Sequence, residues 1–310
     1  MAPEAGPQAS PEARFDPRVL AAFFAIYVLW GSTFLFIRIA VQIIPPWLAA
    51  GTRFFVAGVL LFVFMRLRGR PTPSAREWRN LALVGMLMFV TTYGALFWAE
   101  QYVPSGITSV LEATLPLITI CFEVFLFRRH PFHWKLLAGV VLGFGGVLLL
   151  MLQGGYGKLG VLPCLAILGG ATAWSLGSVL TGSLRLPKSR GITAGAEMML
   201  GGAVLLALSA ASGELHHFRQ ISPGDAWKAA GSVLYLITAG SLIGFSAFVW
   251  LLARMPATRV ASHAYVNPVV AVVLGHFVLG EAITARSLLG AGMVVASVAL
   301  ILKKNDVAQK

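Results

Sequence analysis

Long apolar stretches recur along the chain, separated by short polar segments that hold most of its charged residues. A helix needs about 20 consecutive, mainly apolar residues to cross the hydrocarbon core of a bilayer, so this spacing predicts membrane-spanning helices. We predict ten of them. Their approximate bounds are 19–43, 47–65, 78–99, 104–127, 134–152, 160–181, 194–212, 227–252, 258–279 and 285–302.

Two of these spans are preceded by residues that favour a helix start. Ser74, followed by Glu77, fits a capping box ahead of the third span. Ser222 and the proline after it supply a cap and a first-turn residue ahead of the eighth span. Residues 1–18, rich in Pro and Ala, are predicted to be a disordered tail, and 303–310 a short C-terminal tail. The first apolar run is too long for the core of a signal peptide, so we interpret it as an uncleaved span.

The composition favours the same class of protein. Hydrophobic residues make up 57% of the chain and charged residues 12%, whereas soluble domains carry about 25% charged residues. The chain therefore lacks the polar surface that a sizeable soluble domain needs. Cys121 and Cys164 both lie in apolar runs, where they are predicted to pack as small residues and not to form a disulfide framework.

The formal net charge of +12 has two interpretations, nucleic-acid binding or retention of Lys and Arg in cytoplasmic loops. With the N-terminus inside, eighteen of the 24 Lys and Arg residues fall in inside segments and four in outside segments. The remaining two, Arg38 and Arg53, lie within spans. Because membrane proteins keep basic residues in their cytoplasmic loops, this bias predicts that both termini are cytoplasmic and that no nucleic acid is bound.

The two halves of the chain are similar to each other. A shift of 152 aligns 97–150 with 249–302 without a gap and superimposes a tryptophan and two prolines. Near the start of each half, a shift of 144 superimposes Trp30 on Trp174. Each half holds five spans, an odd number, so the second half must enter the membrane in the opposite sense. We therefore predict two inverted five-helix repeats, 19–152 and 160–302, that surround a central cavity.

Four short motifs stand out along the chain. They are Trp30-Gly31-Ser32-Thr33 with Arg38, Arg53 with Ala57-Gly58, Ala99-Glu100 with Val103-Pro104-Ser105-Gly106, and Ala264-Tyr265-Val266-Asn267-Pro268 with Gly280-Glu281. Together they resemble the drug/metabolite transporter superfamily, and most closely its EamA-type transporters of bacterial inner membranes. The resemblance covers about residues 20–302 and implies an all-α bundle of ten helices that exports amino acids or other small metabolites. Similar members often end the fourth span with Gly-Glu, where this chain has Arg128-Arg129.

Two tryptophans lie unusually deep in their predicted spans. A rise of 1.5 Å per residue places Trp30 about 16 Å and Trp174 about 21 Å from the starts of their spans, near the middle of a core about 30 Å thick. Tryptophans usually anchor helix ends at the membrane interface, so we predict that these two line a substrate cavity. Their indole N–H groups need hydrogen-bond partners, for which we propose Ser32, Thr33 and Ser178.

Pro116 and Pro268 fall at a similar depth and are predicted to kink their helices. Pro268 frees the carbonyl of Ala264, and the preceding Asn267 adds an amide. Such polar groups are tolerated there only against protein or a wet cavity. Two interpretations stay open: a kink satisfied by a neighbouring helix, or a contribution of Tyr265 and Asn267 to substrate binding.

Charged residues inside spans are costly and suggest function. Arg53 and Glu112 are predicted to lie at similar depths, either as an ion pair that holds a gate or as separate sites. In the second interpretation Arg53 or Arg38 attracts a substrate carboxylate and Glu112 carries a proton. His263 is a further proton-coupling candidate, with hydrogen-bonded packing as its alternative. Glu197 is predicted to reach the inner surface or a nearby arginine.

These features predict a secondary transporter that exports small metabolites, with amino acids as the first candidates, by alternating access. The chain has no Gly-rich lysine loop for nucleotide phosphates, so a proton or substrate gradient is expected to drive transport. The alternative is an intramembrane enzyme acting on a lipid-linked substrate, but the histidines and acids do not cluster as such a site would need. We expect a small-molecule substrate and membrane lipid as partners, and no cofactor or metal. A glycine-rich face at 139–146 leaves a homodimer open.

Overall fold

The computed structural model describes residues 16–128, 134–151, 160–214, 221–252, 254, 260 and 263–305. These residues form helices with short connections, and no strand occurs among them. Within the same ranges, seven helices are long and apolar enough to cross a membrane, and three more apolar helices are shorter. In chain order they are α1 Pro17–Val41, α2 Pro46–Leu67, α3 Ala75–Ala99, α4 Ser105–Leu126, α5 Trp134–Met151, α6 Val161–Thr181, α7 Arg190–Ala211, α8 Pro223–Phe248, α9 His263–Leu279 and α10 Ala285–Asn305.

The helix starts are set by their caps and not by the first apolar residue. The predicted capping box of Ser74 and Glu77 is present, and α3 begins at Ala75, ahead of the predicted residue 78. Ser222 likewise caps α8. At the other end of the chain, α10 continues to Asn305, three residues into the predicted C-terminal tail. The predicted N-terminal tail lies almost entirely outside the described residues.

Several helices contain wide π turns, which are a frequent feature of functional sites in α-helices. α1 contains Ala25–Leu29, α3 Met86–Thr91, α4 Phe122–Leu126 and α8 Leu236–Gly244. α4 is also interrupted after Glu112 and resumes at Leu115, with Pro116 in the first turn of its second part. Pro268, in contrast, lies within the continuous helix α9.

Helices α2 and α7 pack backbone against backbone and run antiparallel. A Cβ atom added to Gly51 would lie 2.8 Å from the Leu206 backbone nitrogen, and one added to Gly195 would lie 2.8 Å from the Phe62 nitrogen. Four contacts define this crossing, and residue numbers rise along α2 as they fall along α7. Adding 144 to the α2 residue of one contact and subtracting 144 from its α7 partner gives another of the four contacts. The four contacts are Gly51–Leu206, Phe55–Gly202, Gly58–Met199 and Phe62–Gly195.

Helices α5 and α10 meet in the same way. An added Cβ on Gly146 would lie 2.7 Å from the Gly290 carbonyl oxygen, and one on Gly290 would lie 2.9 Å from the Gly146 oxygen. Gly143 faces Ser297 of α10. The glycine-rich face of α5 is therefore used for contacts within the chain, because only residues without a Cβ allow two helix backbones to approach so closely.

The turns after α4 and α9 share an unusual backbone conformation. Gly280 has φ 67°, and Arg128, which aligns with it at a shift of 152, has φ 51°. This left-handed conformation suits glycine but strains a residue with a Cβ. Gly280 therefore suits its turn, whereas Arg128 adopts the equivalent conformation at a cost in free energy.

The connections between helices cluster at two ends of the bundle. At one, which we call the Arg185 end, Asn80 donates to the Arg185 carbonyl at 2.9 Å. At the other, the Glu281 end, the backbone N–H of Leu48 donates to Glu214 and that of Ser105 donates to Glu281. The basic loops that the sequence places inside, including 66–70 and 185–190, lie at the Arg185 end.

The bundle surface between these ends is apolar. Leu67, Trp134, Trp227 and Phe277 expose 82%, 72%, 80% and 80% of their surfaces. Large apolar side chains facing outward are expected where lipid replaces water as the solvent. Trp134 and Trp227 lie at or near the starts of their helices, where tryptophans usually anchor a helix at the membrane interface.

Candidate functional site

Trp30 directly follows the π turn of α1 and is held against α8. Its indole Nε1–H donates to the Gly240 carbonyl at 2.8 Å. Side chains at Gly240 and Gly244 would overlap α1, since a Cβ on Gly240 would lie 2.9 Å from Thr33 Cγ2 and one on Gly244 would overlap the Trp30 ring. The predicted serine and threonine partners of this indole are therefore wrong, because two glycines bring a carbonyl of α8 within closer reach.

The hydroxyl groups after Trp30 are committed to protein partners. The Ser32 hydroxyl lies 2.7 Å from the Tyr235 hydroxyl, and Thr33 donates to the Trp30 carbonyl at 2.5 Å. Both side chains are buried. Tyr235, which lies in none of the sequence motifs, stacks on Phe36 with ring centroids 3.9 Å apart. In this conformation Ser32 bonds α1 to α8 through Tyr235, and Thr33 bonds back to its own helix.

Trp174 of α6 lies against α3. Its ring lies edge-on to Tyr93 at 5.8 Å and to Phe89 at 6.0 Å, measured between centroids. The predicted Ser178 is half-buried on the same helix. Ser175 is the residue that bonds across helices: it accepts from Thr119 at 3.0 Å and donates to the Leu115 carbonyl, next to the break in α4, at 3.2 Å.

Arg53 lies between the two tryptophans. Its Nε donates to the Ser241 hydroxyl at 3.1 Å, and its guanidinium carbon lies 4.7 Å from the Phe54 ring centroid and 5.4 Å from that of Tyr93. Gly240, the partner of Trp30, would place a Cβ 3.0 Å from Arg53 Nη2. A continuous chain of contacts thus runs from Trp30 through Gly240, Arg53 and Tyr93 to Trp174.

The Arg53 guanidinium is buried without a counter-ion. The residue is 4% exposed, and its Nη1 has no hydrogen-bond partner. Burying a cation costs much free energy unless it is paired. The aromatic faces of Phe54 and Tyr93 supply part of the missing stabilisation. Such an arrangement is poised to bind an anion.

Glu112 does not pair with Arg53 in this conformation. Its Oε1 is buried and has no partner. The first part of α4, which Glu112 ends, packs mainly against α1, α6 and α9, whereas Arg53 lies on α2. Equal depth in the membrane predicted the pair, but depth does not fix the direction in which a helix face points. Both charges nonetheless act electrostatically on Tyr93.

Three of these groups combine depth with accessibility. Tyr93, Glu112 and His263 are surrounded by protein atoms on nearly all sides, yet each keeps a partly accessible surface. A recess of about 300 Å³ lies elsewhere: its lining includes Trp47, Trp98 and Leu205, and neither Trp30 nor Arg53 lines it.

His263 and Asn267 face the π turn of α1 from α9. His263 Nδ1 lies 2.9 Å from the Val260 carbonyl, and its ring lies 5.2 Å from that of Trp30. In the orientation that satisfies its hydrogen bonds, the Asn267 amide nitrogen donates to the carbonyls of Ile26 and Tyr27, each at 3.1 Å. Asn267 therefore binds backbone carbonyls of a neighbouring helix, the first of its two interpretations. The side chain of Tyr265 lies outside the described residues.

Further charged residues meet at the Glu281 end. The Arg38 guanidinium donates to the backbone carbonyl of Glu100. The Glu281 carboxylate accepts from the backbone N–H groups of Ser105 and Gly106 at 2.8 and 3.1 Å, and from the Ser105 hydroxyl at 3.0 Å. Glu281 thus caps the N-terminus of α4 from the other half of the chain, where a negative charge is favoured. The Gly-Glu motif offered the only sequence signal for this contact.

Glu197 does not reach the surface as predicted. The residue is 6% exposed and its Oε1 has no hydrogen-bond partner. The close packing of α7 against α2 and α3 encloses it, since Gly85 of α3 lies against its backbone. Glu100, which the prediction left out of the site, is more deeply enclosed still, with 0% exposure.

Comparison with known proteins identifies the family. The profile of the EamA-like transporter family matches residues 18–152 and again 161–303, so it covers nearly the whole chain in two copies. The chain belongs to the EamA-like transporter family. It is similar to the uncharacterized inner membrane transporter YedA of Escherichia coli (strain K12), with 38% identity over 91% of this chain and 90% of that protein.

Two further relatives extend the comparison. A protein of Streptantibioticus cattleyicolor described as a probable terminal-alkyne amino-acid exporter is 27% identical over 90% of this chain and 91% of its own length. A solved crystal structure whose description names no function shares the fold. Its TM-score is 0.59, with 18% identity over 92% of this chain and 96% of that one. The EamA-family protein studied here is therefore a multi-pass transporter of the bacterial inner membrane.

Proposed function

We propose that this EamA-family transporter exports amino acids, or closely related small metabolites, across the cytoplasmic membrane by alternating access. The observation that carries the proposal is the buried, unpaired guanidinium of Arg53 between the two deep tryptophans. A guanidinium binds a carboxylate through two parallel hydrogen bonds, and Arg53 has Nη1 free for one of them.

A zwitterion would satisfy both unpaired charges of the site. Arg53 Nη1 and Glu112 Oε1 are each buried without a partner, and both groups act on Tyr93. The carboxylate of an amino acid suits Arg53, and its ammonium group suits Glu112. The rings of Tyr93, Phe89 and Trp174 offer an apolar wall for the side chain. The similar Streptantibioticus cattleyicolor protein is described as an amino-acid exporter.

Alternating access is supported by the antiparallel packing of helices five positions apart in the chain. The contacts of α2 with α7 exchange partners at a shift of 144, as expected for two inverted repeats related by a two-fold axis in the membrane plane. The second interpretation from the sequence, an intramembrane enzyme, gains nothing from the relatives described above, which are transporters where their function is named.

The orientation of this proposal has both termini in the cytoplasm and the Glu281 end outside. It is supported by the basic loops at the Arg185 end, since positive charge is retained in the cytoplasm. Single cysteines at Gly69 and at Ala282 test it through labelling of intact cells with a membrane-impermeant maleimide. Labelling at 282 and protection at 69 are expected, and labelling of both positions from outside would exclude the inverted arrangement.

The transport proposal is tested in proteoliposomes loaded with a panel of radiolabelled amino acids. Arg53→Met should reduce the efflux of the accepted amino acid at least tenfold, because its carboxylate loses a charged partner. Arg68→Met is the matched control, since Arg68 also lies over a phenylalanine ring, that of Phe64 at 5.0 Å, but at an exposed position. Equal efflux by the two variants would reject Arg53 as the carboxylate site.

A further inference from the structure

Glu100 is a buried acid to which neither the transport proposal nor the sequence assigns a function. It follows the last residue of α3 at the Glu281 end and is 0% exposed. Both of its carboxyl oxygens are buried and neither has a hydrogen-bond partner. The carboxyl group is therefore fully buried without a hydrogen-bond partner.

Arg38, the basic residue bonded to the backbone of Glu100, does not neutralise the Glu100 carboxyl group. The Arg38 guanidinium of α1 donates its hydrogen bond to the backbone carbonyl of Glu100, and the Glu100 carboxyl group accepts none. A carboxylate anion without hydrogen bonds is far more costly to bury than a neutral carboxyl group. The geometry therefore favours a protonated Glu100 in this conformation. A short movement would bring the Arg38 guanidinium from the backbone carbonyl of Glu100 to its carboxyl group.

The surroundings of Glu100 contain few other charges. Besides Arg38, the groups that act on it electrostatically are Arg53, Glu112 and Glu281. Glu281 is already satisfied by the N-terminus of α4. The neighbouring helix α6 adds Cys164, which packs in the same apolar cluster as Ala99. Arg38 is thus the group whose movement would change the charge state of Glu100.

We propose that Glu100 is a proton-binding site that couples this transporter to the proton gradient. In the conformation described here the carboxyl group holds its proton while Arg38 binds the backbone carbonyl. When the opposite end opens to the cytoplasm, Arg38 moves to the carboxylate, the O–H bond breaks and the proton passes to cytoplasmic water. When the Glu281 end opens to the outside, Arg38 returns to the backbone carbonyl and water on the outside protonates the carboxylate, so a proton enters as substrate leaves. This inference rests on the proposed export function.

Two other buried acids suit this role less well. Glu112 keeps a partly accessible surface and flanks the proposed substrate site, where an ammonium group would occupy it. Glu197 is buried on α7 near its start at the Arg185 end, at the opposite end of the bundle from the Arg38–Glu100 contact. Glu197→Gln is therefore a matched control: it removes a buried carboxyl group with an unpartnered oxygen and leaves Arg38 untouched.

The proton site can be tested without knowing the substrate. Infrared difference spectra of the purified full-length protein in lipid bilayers, recorded between acidic and alkaline pH, report protonated carboxyl groups. Glu100→Gln should remove one carbonyl component that titrates in the wild type, and Glu197→Gln should retain it. Glu100→Asp, which keeps a carboxyl group, should restore the component at a shifted position. Unchanged spectra for Glu100→Gln would overturn the assignment.

Coupling is tested by efflux from proteoliposomes with and without an inward proton gradient. The gradient should accelerate efflux by the wild type and by Glu197→Gln, and Glu100→Gln should fall to the rate measured without a gradient. A full gradient response in Glu100→Gln would refute the coupling role. If the wild type moves no amino acid at all, the export proposal fails, while the infrared titration still decides whether Glu100 binds a proton.

Discussion

Gly58 and Gly202 lie at equivalent positions of the α2–α7 crossing, and replacing either by alanine should separate the two helices. The added Cβ of Gly58 would lie 2.8 Å from the Met199 Cα, and that of Gly202 would lie 2.7 Å from the Phe55 Cα. Carbon atoms in ordinary contact are about 3.5–4.0 Å apart, so the helices must move apart by roughly 1 Å. The obstructing atoms belong to the backbone, so no side-chain rotation relieves the overlap.

The expected cost of each substitution follows from two opposing effects. Overpacking costs about 1–3 kcal/mol, and alanine in place of glycine inside a helix returns about 0.5–1 kcal/mol. We therefore expect each variant to lose about 1–2 kcal/mol of unfolding free energy, by similar amounts because the two sites exchange under the repeat. The double variant should lose less than the sum of both, since helices already separated accommodate the second methyl group.

The measurement is unfolding of the purified protein by sodium dodecyl sulfate in mixed micelles, followed by tryptophan fluorescence. Gly169→Ala is the control, because an added Cβ at this α6 position meets nothing within 4 Å. It should leave stability unchanged or raise it by up to about 1 kcal/mol. If Gly58→Ala and Gly202→Ala match the control, or only one of them destabilises, the symmetric close packing of α2 and α7 is refuted.

Three further predictions follow from single contacts. Arg128→Gly should raise stability in thermal unfolding by up to about 1 kcal/mol because it relieves a left-handed backbone conformation; a loss of stability would show that the Arg128 side chain matters more than its backbone. Asn267→Leu should cost about 1–2 kcal/mol, because carbonyls of the α1 π turn lose their donor, and should speed hydrogen exchange in α1; lost efflux at full stability would point to substrate binding instead. Exchanging the charges of Arg53 and Glu112 should not restore the thermal stability that the single substitutions lose, because the two do not pair; recovery of stability would contradict this.

The helices themselves were predictable from the chain. Each apolar run coincides with a helix, because a segment that crosses lipid must satisfy its own backbone hydrogen bonds. The caps at Ser74 and Ser222 were also predictable, since a capping residue acts on the three or four residues that follow it. Two of the site residues with buried charge, Arg38 and Arg53, were identified for a similar reason: charge in an apolar run is conspicuous.

The partners of these residues were not predictable. The sequence proposed Glu112 for Arg53 and hydroxyl groups for Trp30, whereas the fold supplies Ser241, Tyr93 and the Gly240 carbonyl. Tyr93 and Ser241 carry no distinctive pattern, and Glu100 was noticed only as part of a motif. Gly240 is one glycine among 33 in the chain.

The sequence by itself determined that this is a membrane protein of two similar halves and where its helices lie, because hydropathy and internal repetition are properties of a one-dimensional pattern. It also predicted the depth of each polar residue, since helix rise is constant. Only the tertiary structure decided which side chains meet. Helices that are apolar on every face give no periodic signal of the face they bury, so their rotation, and with it every contact across the bundle, is set by packing between backbones.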